Sequence, residues 1–145
     1  MNISLFDQLW ANHPQDDFPC DRTTFRNQCA IRMSVAFDRS GVNTSTFDKM
    51  YPNRRCYPGF NHSPKHILAA QELANRIKRE VTLFGDVEII KNANRSHFSG
   101  RKGIVFIKDG WGATDHIDVW NGIAMQGGSV NYLSRGKEIW FWEAI

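Results

Sequence analysis

The first half of the chain has apolar residues at helical spacing. Within residues 3–12 they fall at positions 3, 5, 6, 9 and 10, which predicts a short amphipathic helix. A second run starts at Cys29 and is apolar on most sides, which predicts a mostly buried helix ended by Gly41. Residues 13–22 are rich in proline and aspartate and are expected to form a loop.

A third helical pattern covers residues 63–80 and is the clearest in the chain. Ser63 is a good N-cap, and Pro64 suits the first helical position because its missing N–H needs no partner there. The preceding segment, 42–62, contains two of the five prolines, Pro52 and Pro58, so we expect it to be irregular.

The second half of the chain changes to short apolar runs that alternate with polar residues and are separated by glycines. This pattern is typical of β-strands. The predicted strands cover residues 86–90, 102–108, 116–120 and 138–145. Helices followed by an antiparallel meander predict an α+β fold, and 145 residues suit one domain spanning 1–145.

Composition and charge exclude several classes of function. The net charge is only +3 and the basic residues are scattered, whereas nucleic-acid binding usually requires a concentrated basic face. No apolar run approaches the length of a membrane span, so membrane insertion is not expected. The first residues, MNISLFDQLWANHP, lack the basic and apolar regions of a classical signal peptide.

The three cysteines leave two alternatives open. Cys20 and Cys56 could form a disulfide in an oxidising compartment, or both could be reduced, half-buried thiols. No CxxC motif or Cys/His cluster is visible in the sequence, so we expect neither a metal site nor a cofactor.

Cys29 occupies the position in the chain best suited to a nucleophile. It lies in NQCAIRMS, where two polar amides give way to the predicted helix. A helix N-terminus carries partial positive charge, which stabilises a thiolate. The backbone N–H groups at the same helix start could also bind an oxyanion formed at the sulfur.

His116 is the best candidate for the general base because it lies on a predicted strand, which would hold its ring rigidly. Because side chains alternate along a strand, His116, Asp118 and Trp120 share one face. Asp118 could therefore orient the imidazole. The other histidines lie in predicted loops or beside the start of the third helix: His13, His62, His66 and His97.

Two longer motifs resemble known sequences. NQCAIRMSVAF, which contains Cys29, is similar to the nucleophile helix of the type VI secretion amidase effectors, family four. FSGRKGIVFIKDGWGATDHIDVWNG, at residues 98–122, resembles the segment of that family that carries the base. The closing strand EIWFW is a weaker match.

This resemblance implies a papain-like fold and an activity. The enzyme would cut the peptidoglycan stem peptide between D-glutamate and meso-diaminopimelate, with Cys29 as nucleophile and His116 as base. It also implies delivery by the type VI secretion apparatus into the periplasm of rival bacteria, without a classical signal peptide. A cognate immunity protein would protect the producing cell.

The third member of the site departs from the family pattern. In that family an acid lies about eleven residues beyond the histidine, in a loop closed by two cysteines, whereas here the stretch is IAMQGGSVNY. Asp118 is therefore a candidate by geometry alone, with Gln126 and Asn131 as alternatives.

Two other classes of function remain open at this point. The chain could be a non-catalytic cell-wall or interaction module in which Cys29 is simply buried. It could also be a cysteine amidase or deamidase that acts on a protein target.

Overall fold

The computed structural model describes residues 1–56 and 65–145, which form helices and a four-stranded sheet. The α-helices are α1 (Ile3–Asn12), α2 (Cys29–Arg39), α3 (Ser45–Met50), α4 (Ala70–Arg79) and α5 (Val81–Phe84). The strands are β1 (Glu88–Lys91), β2 (Gly103–Trp111), β3 (Thr114–Trp120) and β4 (Glu138–Glu143). The short 3₁₀-helices η1 (Arg95–His97) and η2 (Val130–Ser134) lie between strands.

The central helix α2 confirms the sequence prediction closely. It begins at Cys29 and ends at Arg39, and Gly41 follows with φ 74°, a left-handed conformation that glycine adopts without strain. From Cys29 to Phe37 every residue except Arg32 is buried, because α2 packs against α1, α4 and β3. Cys29 therefore lies at the first turn of a helix fixed on several sides.

The third predicted helix begins later than expected. Residues 65–69 are not helical, and α4 starts at Ala70, so the prediction of a helix over 63–80 is wrong for this part. Tertiary contacts override the local pattern, since Ile67 forms a β-bridge with Arg55. The predicted cap, Ser63 with Pro64, lies outside the described residues.

The irregular segment predicted over 42–62 contains a helix. Helix α3 covers Ser45–Met50 and buries Phe47 completely, and Arg55 donates to the Asp48 carboxylate at 2.8 Å. The prolines that suggested an irregular segment both follow α3, which explains why they do not interrupt it.

The sheet is antiparallel, as predicted, but it is not a meander. Its strand order is β1-β4-β2-β3, so the C-terminal strand β4 lies between β1 and β2. Strand β4 takes this inner position because both of its faces are apolar. Trp140 and Trp142 pack among the helices, while Ile139 and Phe141 pack in a second core on the opposite face.

Strand β3 forms the edge of the sheet and pairs with β2, and its last residue, Trp120, also forms an isolated β-bridge with Met125. Its residues alternate as expected, since Ile117 and Val119 belong to the helix-side core and Trp120 belongs to the other core. None of the helices in the described parts of the chain is long and apolar enough to cross a membrane.

One buried hydroxyl in α2 links this helix to the segment before α4. Ser34 Oγ accepts a hydrogen bond from the Ile67 N–H at 2.8 Å and donates to the Ala30 carbonyl at 3.1 Å. We expect Ser34→Ala to destabilise the protein by about 1–3 kcal/mol, because the buried N–H of Ile67 loses its partner. Urea denaturation measures this, and the exposed Ser4→Ala variant should change stability by less than about 0.5 kcal/mol.

Candidate active site

The site forms where the start of α2 meets the edge strand β3. Cys29 is buried, and its Sγ atom lies 3.9 Å from the carbonyl oxygen of Asp115. The same thiol is close enough to the His116 ring to raise the pKa of the imidazole. The structure thus brings together the two residues that the sequence analysis paired, although 87 positions separate them in the chain.

His116 is held on three sides. Its Nε2 atom lies 2.8 Å from Asp118 Oδ2, so the other ring nitrogen, Nδ1, remains for the thiol. The rings of Trp111 and Tyr132 meet the imidazole edge to face, with centroids 6.0 and 5.0 Å away. These contacts leave the ring little freedom to rotate.

The electrostatics of the site favour a protonated His116. Burial lowers the pKa of this group, but the hydrogen bonds to Asp118 and Cys29 and the charges of both partners outweigh it. Together they raise the pKa of His116 to about 9. The imidazolium form therefore predominates at neutral pH.

Asp118 is completely buried and its carboxylate is well supplied with donors. Oδ1 accepts a hydrogen bond from the Val119 N–H at 2.8 Å, and Oδ2 accepts one from the Gly127 N–H at 2.9 Å. His13 Nε2 lies 3.6 Å from Oδ1. A buried carboxylate without such partners would be costly, so this environment stabilises Asp118 beside His116.

The two alternative third residues have other contacts. Gln126 donates through Nε2 to the Trp10 carbonyl at 2.8 Å and accepts through Oε1 from Gln15 at 3.3 Å. The backbone N–H of Asn131 donates to Oγ of Ser129, the N-cap of η2, at 3.4 Å. Within the described chain, the carboxylate bonded to the ring of His116 belongs to Asp118.

The loop that contains Gly127 and Gly128 lies where the family pattern has an acid, and it contacts Asp118 instead. Gly127 lies eleven residues after His116, and its N–H donates to the carboxylate. A Cβ atom at Gly127 would approach Asp118 Oδ2 to 3.4 Å and the His13 ring to 3.2 Å. A larger side chain at this position would therefore compete with Asp118 for space.

Sequence reasoning missed the role of His13, which was assigned only to a loop. His13 follows α1 directly and is buried against Asp118. Its Nδ1 accepts a hydrogen bond from the Gln15 N–H at 2.9 Å, so a neutral ring carries its proton on Nε2, toward Asp118. Burial lowers the pKa of His13, with Asp118 opposing this effect and Arg32 and His116 adding to it.

Asn27 was also missed as a contact residue. Its Nδ2 donates to the Asp115 carbonyl at 3.3 Å, and its Oδ1 accepts from the Cys29 N–H at 3.3 Å. The helix-start N–H that we expected to bind an oxyanion is thus held by a side chain in this structure. The polar amides before Cys29 were the available sequence signal.

An open cleft of about 380 Å³ gives access to His116. It is lined by Arg26, Asn27, Trp111, Thr114, Asp115, His116 and Tyr132. Trp111 lies at the cleft, whereas Trp120 is buried in the core and donates through its indole N–H to the Phe98 carbonyl at 2.8 Å.

A second cluster of potential ligands was not visible in the sequence. Cys20, Cys56 and His66 are all buried and come together. Their spacing in the chain matches no metal motif, because tertiary structure rather than local sequence assembles them. Cys20 and Cys56 are thiols in this structure, with no disulfide between them.

The fold and site together define a class of protein. A helix that begins with a cysteine and packs on an antiparallel sheet bearing a His–Asp pair is the papain-like α+β arrangement. A family model described as type VI secretion system (T6SS), amidase effector protein 4, matches residues 25–142. The chain therefore belongs to this family of type VI secretion amidase effectors.

Solved structures have the same fold. The type VI effector Tae4 from Enterobacter cloacae matches with a TM-score of 0.71 at 16% identity, covering 97% of this chain and 96% of that one. The Tae4 chain of the Tae4–Tai4 effector–immunity complex from Salmonella Typhimurium matches with a TM-score of 0.65 at 19% identity, covering 97% of each chain. No curated protein matches the sequence.

Proposed function

We propose that this protein is an antibacterial peptidoglycan amidase that cleaves the bond between D-glutamate and meso-diaminopimelate in the stem peptide. The observation that carries the proposal is the placement of Cys29 beside His116, which is hydrogen-bonded to Asp118, in a chain of the amidase effector family. Residues 1–145 act as one catalytic domain, since residues from Met1 to Ala144 share its main core.

The reaction is acyl transfer through a cysteine thioester. The Cys29 sulfur attacks the carbonyl carbon of the D-glutamyl side-chain amide, while the His116 imidazolium holds a proton ready for the leaving group. Collapse of the tetrahedral intermediate breaks the C–N bond, and His116 protonates the released amine of diaminopimelate. Water then attacks the thioester and gives its proton to His116, which releases the glutamyl carboxylate and restores the thiol.

Asp118 serves as the orienting group. Its hydrogen bond to Nε2 keeps Nδ1 directed at the sulfur, and its negative charge favours the imidazolium that the leaving-group step requires. His13 acts through Asp118 rather than on the substrate, because its Nε2 faces that carboxylate.

The oxyanion would be stabilised at the start of α2. The donor would be the Cys29 N–H, which now donates to Asn27 Oδ1 at 3.3 Å. When substrate binds, this N–H leaves Asn27 and donates to the oxyanion instead. Asn27 also carries an amide N–H₂ group at the cleft, which provides a second donor. Arg26 contributes a positive charge to the same cleft, complementary to the carboxylates of a stem peptide.

The biological setting follows from the family. The chain is delivered by the type VI secretion apparatus and acts in the periplasm of target bacteria. A cognate immunity protein neutralises it, since Tae4 effectors of similar fold form complexes with Tai4 immunity proteins. The proposed chemistry requires no metal or organic cofactor.

Digestion of purified Gram-negative sacculi tests the substrate and the bond. We expect mass spectrometry to find fragments that end in D-glutamate and fragments that begin with a free amine on diaminopimelate. The same digestion with Cys29→Ala is the control and should give neither product.

Two outcomes would reject the proposal. Intact sacculi, with the wild-type protein correctly folded, would favour a non-catalytic wall-binding or interaction module. Deamidated glutamines in a protein substrate, without wall cleavage, would favour a cysteine amidase with a protein target.

A further inference from the structure

A buried cluster outside the catalytic site has the composition of a metal centre. The side chains of Cys20, Cys56 and His66 are 3%, 2% and 9% exposed, so they are largely shielded from solvent. One sulfur or nitrogen atom from each lies within 4.8 Å of the others, and Cys20 Sγ is 3.1 Å from His66 Nδ1. The catalytic mechanism uses none of these groups.

The backbone holds the three ligands in this arrangement. The Cys56 N–H donates to the His66 carbonyl at 3.0 Å, and the neighbouring Arg55 and Ile67 form a β-bridge. Two antiparallel segments therefore place Cys56 and His66 side by side. The third ligand, Cys20, is fixed by the Gln28 side chain, whose Nε2 donates to the Cys20 carbonyl at 3.2 Å.

One sulfur of the cluster has a backbone donor that can support a metal-bound thiolate. The backbone N–H of His66 points at Cys56 Sγ at 3.3 Å. Such an N–H···S contact is stronger when the sulfur is charged, because charged acceptors form stronger hydrogen bonds than neutral ones. The cluster thus combines two soft sulfur ligands, one imidazole and a backbone donor directed at a sulfur.

We propose that Cys20, Cys56 and His66 bind a structural zinc ion. Thiolate and imidazole ligands favour zinc among the common divalent metals. Zn–S and Zn–N bonds of about 2.3 and 2.0 Å in a tetrahedron separate the ligand atoms by roughly 3.4–3.8 Å, which this cluster reaches with small movements. Binding releases the two thiol protons to solvent and leaves a fourth position for water or another donor.

The zinc ion would connect the chain segments around the nucleophile helix. Cys20 and Cys56 pack against Ile31 of α2, and Gln28, which contacts Cys20, is the N-cap of α2 and directly precedes Cys29. A metal ion joining Cys20 to Cys56 and His66 would therefore stabilise the position of the helix start. This role differs from catalysis and does not depend on the proposed substrate.

Zinc content of the whole chain tests the proposal. Cys29→Ala protein, purified under reducing conditions and incubated with one equivalent of zinc, should retain one zinc ion per chain in native mass spectrometry. The ion should replace two protons. In this Cys29→Ala background, adding either Cys20→Ser or His66→Gln should abolish the stoichiometric zinc binding. The Cys29→Ala protein itself is the matched control, because it loses a cysteine and keeps the cluster intact.

Cobalt provides a second measurement that needs no cluster variant. Adding Co²⁺ to the reduced Cys29→Ala protein should produce the near-ultraviolet absorption of thiolate-to-cobalt charge transfer and the visible bands of a tetrahedral site. Zinc should then abolish both. A chelator should lower the melting temperature of the zinc-loaded Cys29→Ala protein.

Three results would overturn the proposal. One is a reduced protein that binds neither zinc nor cobalt stoichiometrically. Another is zinc retained equally by the cluster variants, which would identify an adventitious ion only. The last is a Cys20–Cys56 disulfide that persists in the reduced preparation, detected as a mass deficit of two hydrogens.

Discussion

Replacing Cys29 with alanine is expected to abolish wall hydrolysis while the fold remains intact. The alanine lacks the sulfur that we propose forms the thioester, and the Asp115 carbonyl beside Sγ cannot act as a nucleophile in its place. Removing a nucleophile of this kind lowers kcat by about 10⁴- to 10⁶-fold. The rate of muropeptide release from sacculi, read by chromatography, measures the loss.

The fold should tolerate this change because it removes one small buried atom. We expect a stability loss of at most about 2 kcal/mol, and circular dichroism and urea denaturation should show a native protein. Cys29→Ser is a closer steric match and should also be inactive, since an un-ionised hydroxyl is a much weaker nucleophile than a thiolate. Ser4→Ala, on the exposed face of α1, should retain full activity.

Killing assays separate catalysis from other modes of toxicity. The wild-type chain, exported to the periplasm of a bacterium without the immunity protein, should lyse the cells, and Cys29→Ala should not. Lysis by the alanine variant at the wild-type rate would mean that Cys29 chemistry is not the cause of toxicity.

The parts of the site that could be predicted from sequence depend on local periodicity. The start of α2 at Cys29 follows from the change between polar amides and an apolar helical run. The pairing of His116 with Asp118 follows from alternation along a strand, because residues i and i+2 share a face. In both cases the sequence pattern that allows the prediction lies within a few residues of the functional side chain.

The parts that could not be predicted depend on contacts between distant segments. His13 reaches Asp118 across 105 positions, and Cys20 meets His66 across 46. The inner position of β4 in the sheet also depends on which strands pair, which periodicity alone does not specify. Likewise, the later start of α4 reflects the bridge between Arg55 and Ile67, a tertiary contact that overrides helix propensity.

Replacing Asp118 with asparagine should lower kcat by about 10²- to 10⁴-fold while the fold remains intact. The backbone N–H groups of Val119 and Gly127 both donate to Asp118 Oδ1, so in the variant they would bind the amide oxygen at that position. The N–H₂ group of the asparagine would then face His116 Nε2. The ring would then have to accept at Nε2 and carry its proton on Nδ1, toward Cys29. This tautomer cannot remove a proton from the thiol, so initial rates on sacculi should fall while circular dichroism still shows a folded protein.

The pH profile distinguishes this role from a purely structural one. In the wild type the pKa of His116 is about 9, so the imidazolium and the activity that requires it should be lost only as pH rises through about 9. In Asp118→Asn the negative partner of His116 is gone while burial still disfavours the charged ring. The pKa of His116 should therefore fall toward or below 6.5, and the alkaline limb of kcat should move to lower pH.

The free energy of unfolding should depend on pH for the same reason. The raised pKa of His116 stabilises the wild-type fold fully below pH 6.5, and this contribution disappears toward pH 9. The variant should lack most of that dependence. An unchanged alkaline limb together with near-wild-type kcat would show that Asp118 only fills space, and the role of orienting group would pass to another residue.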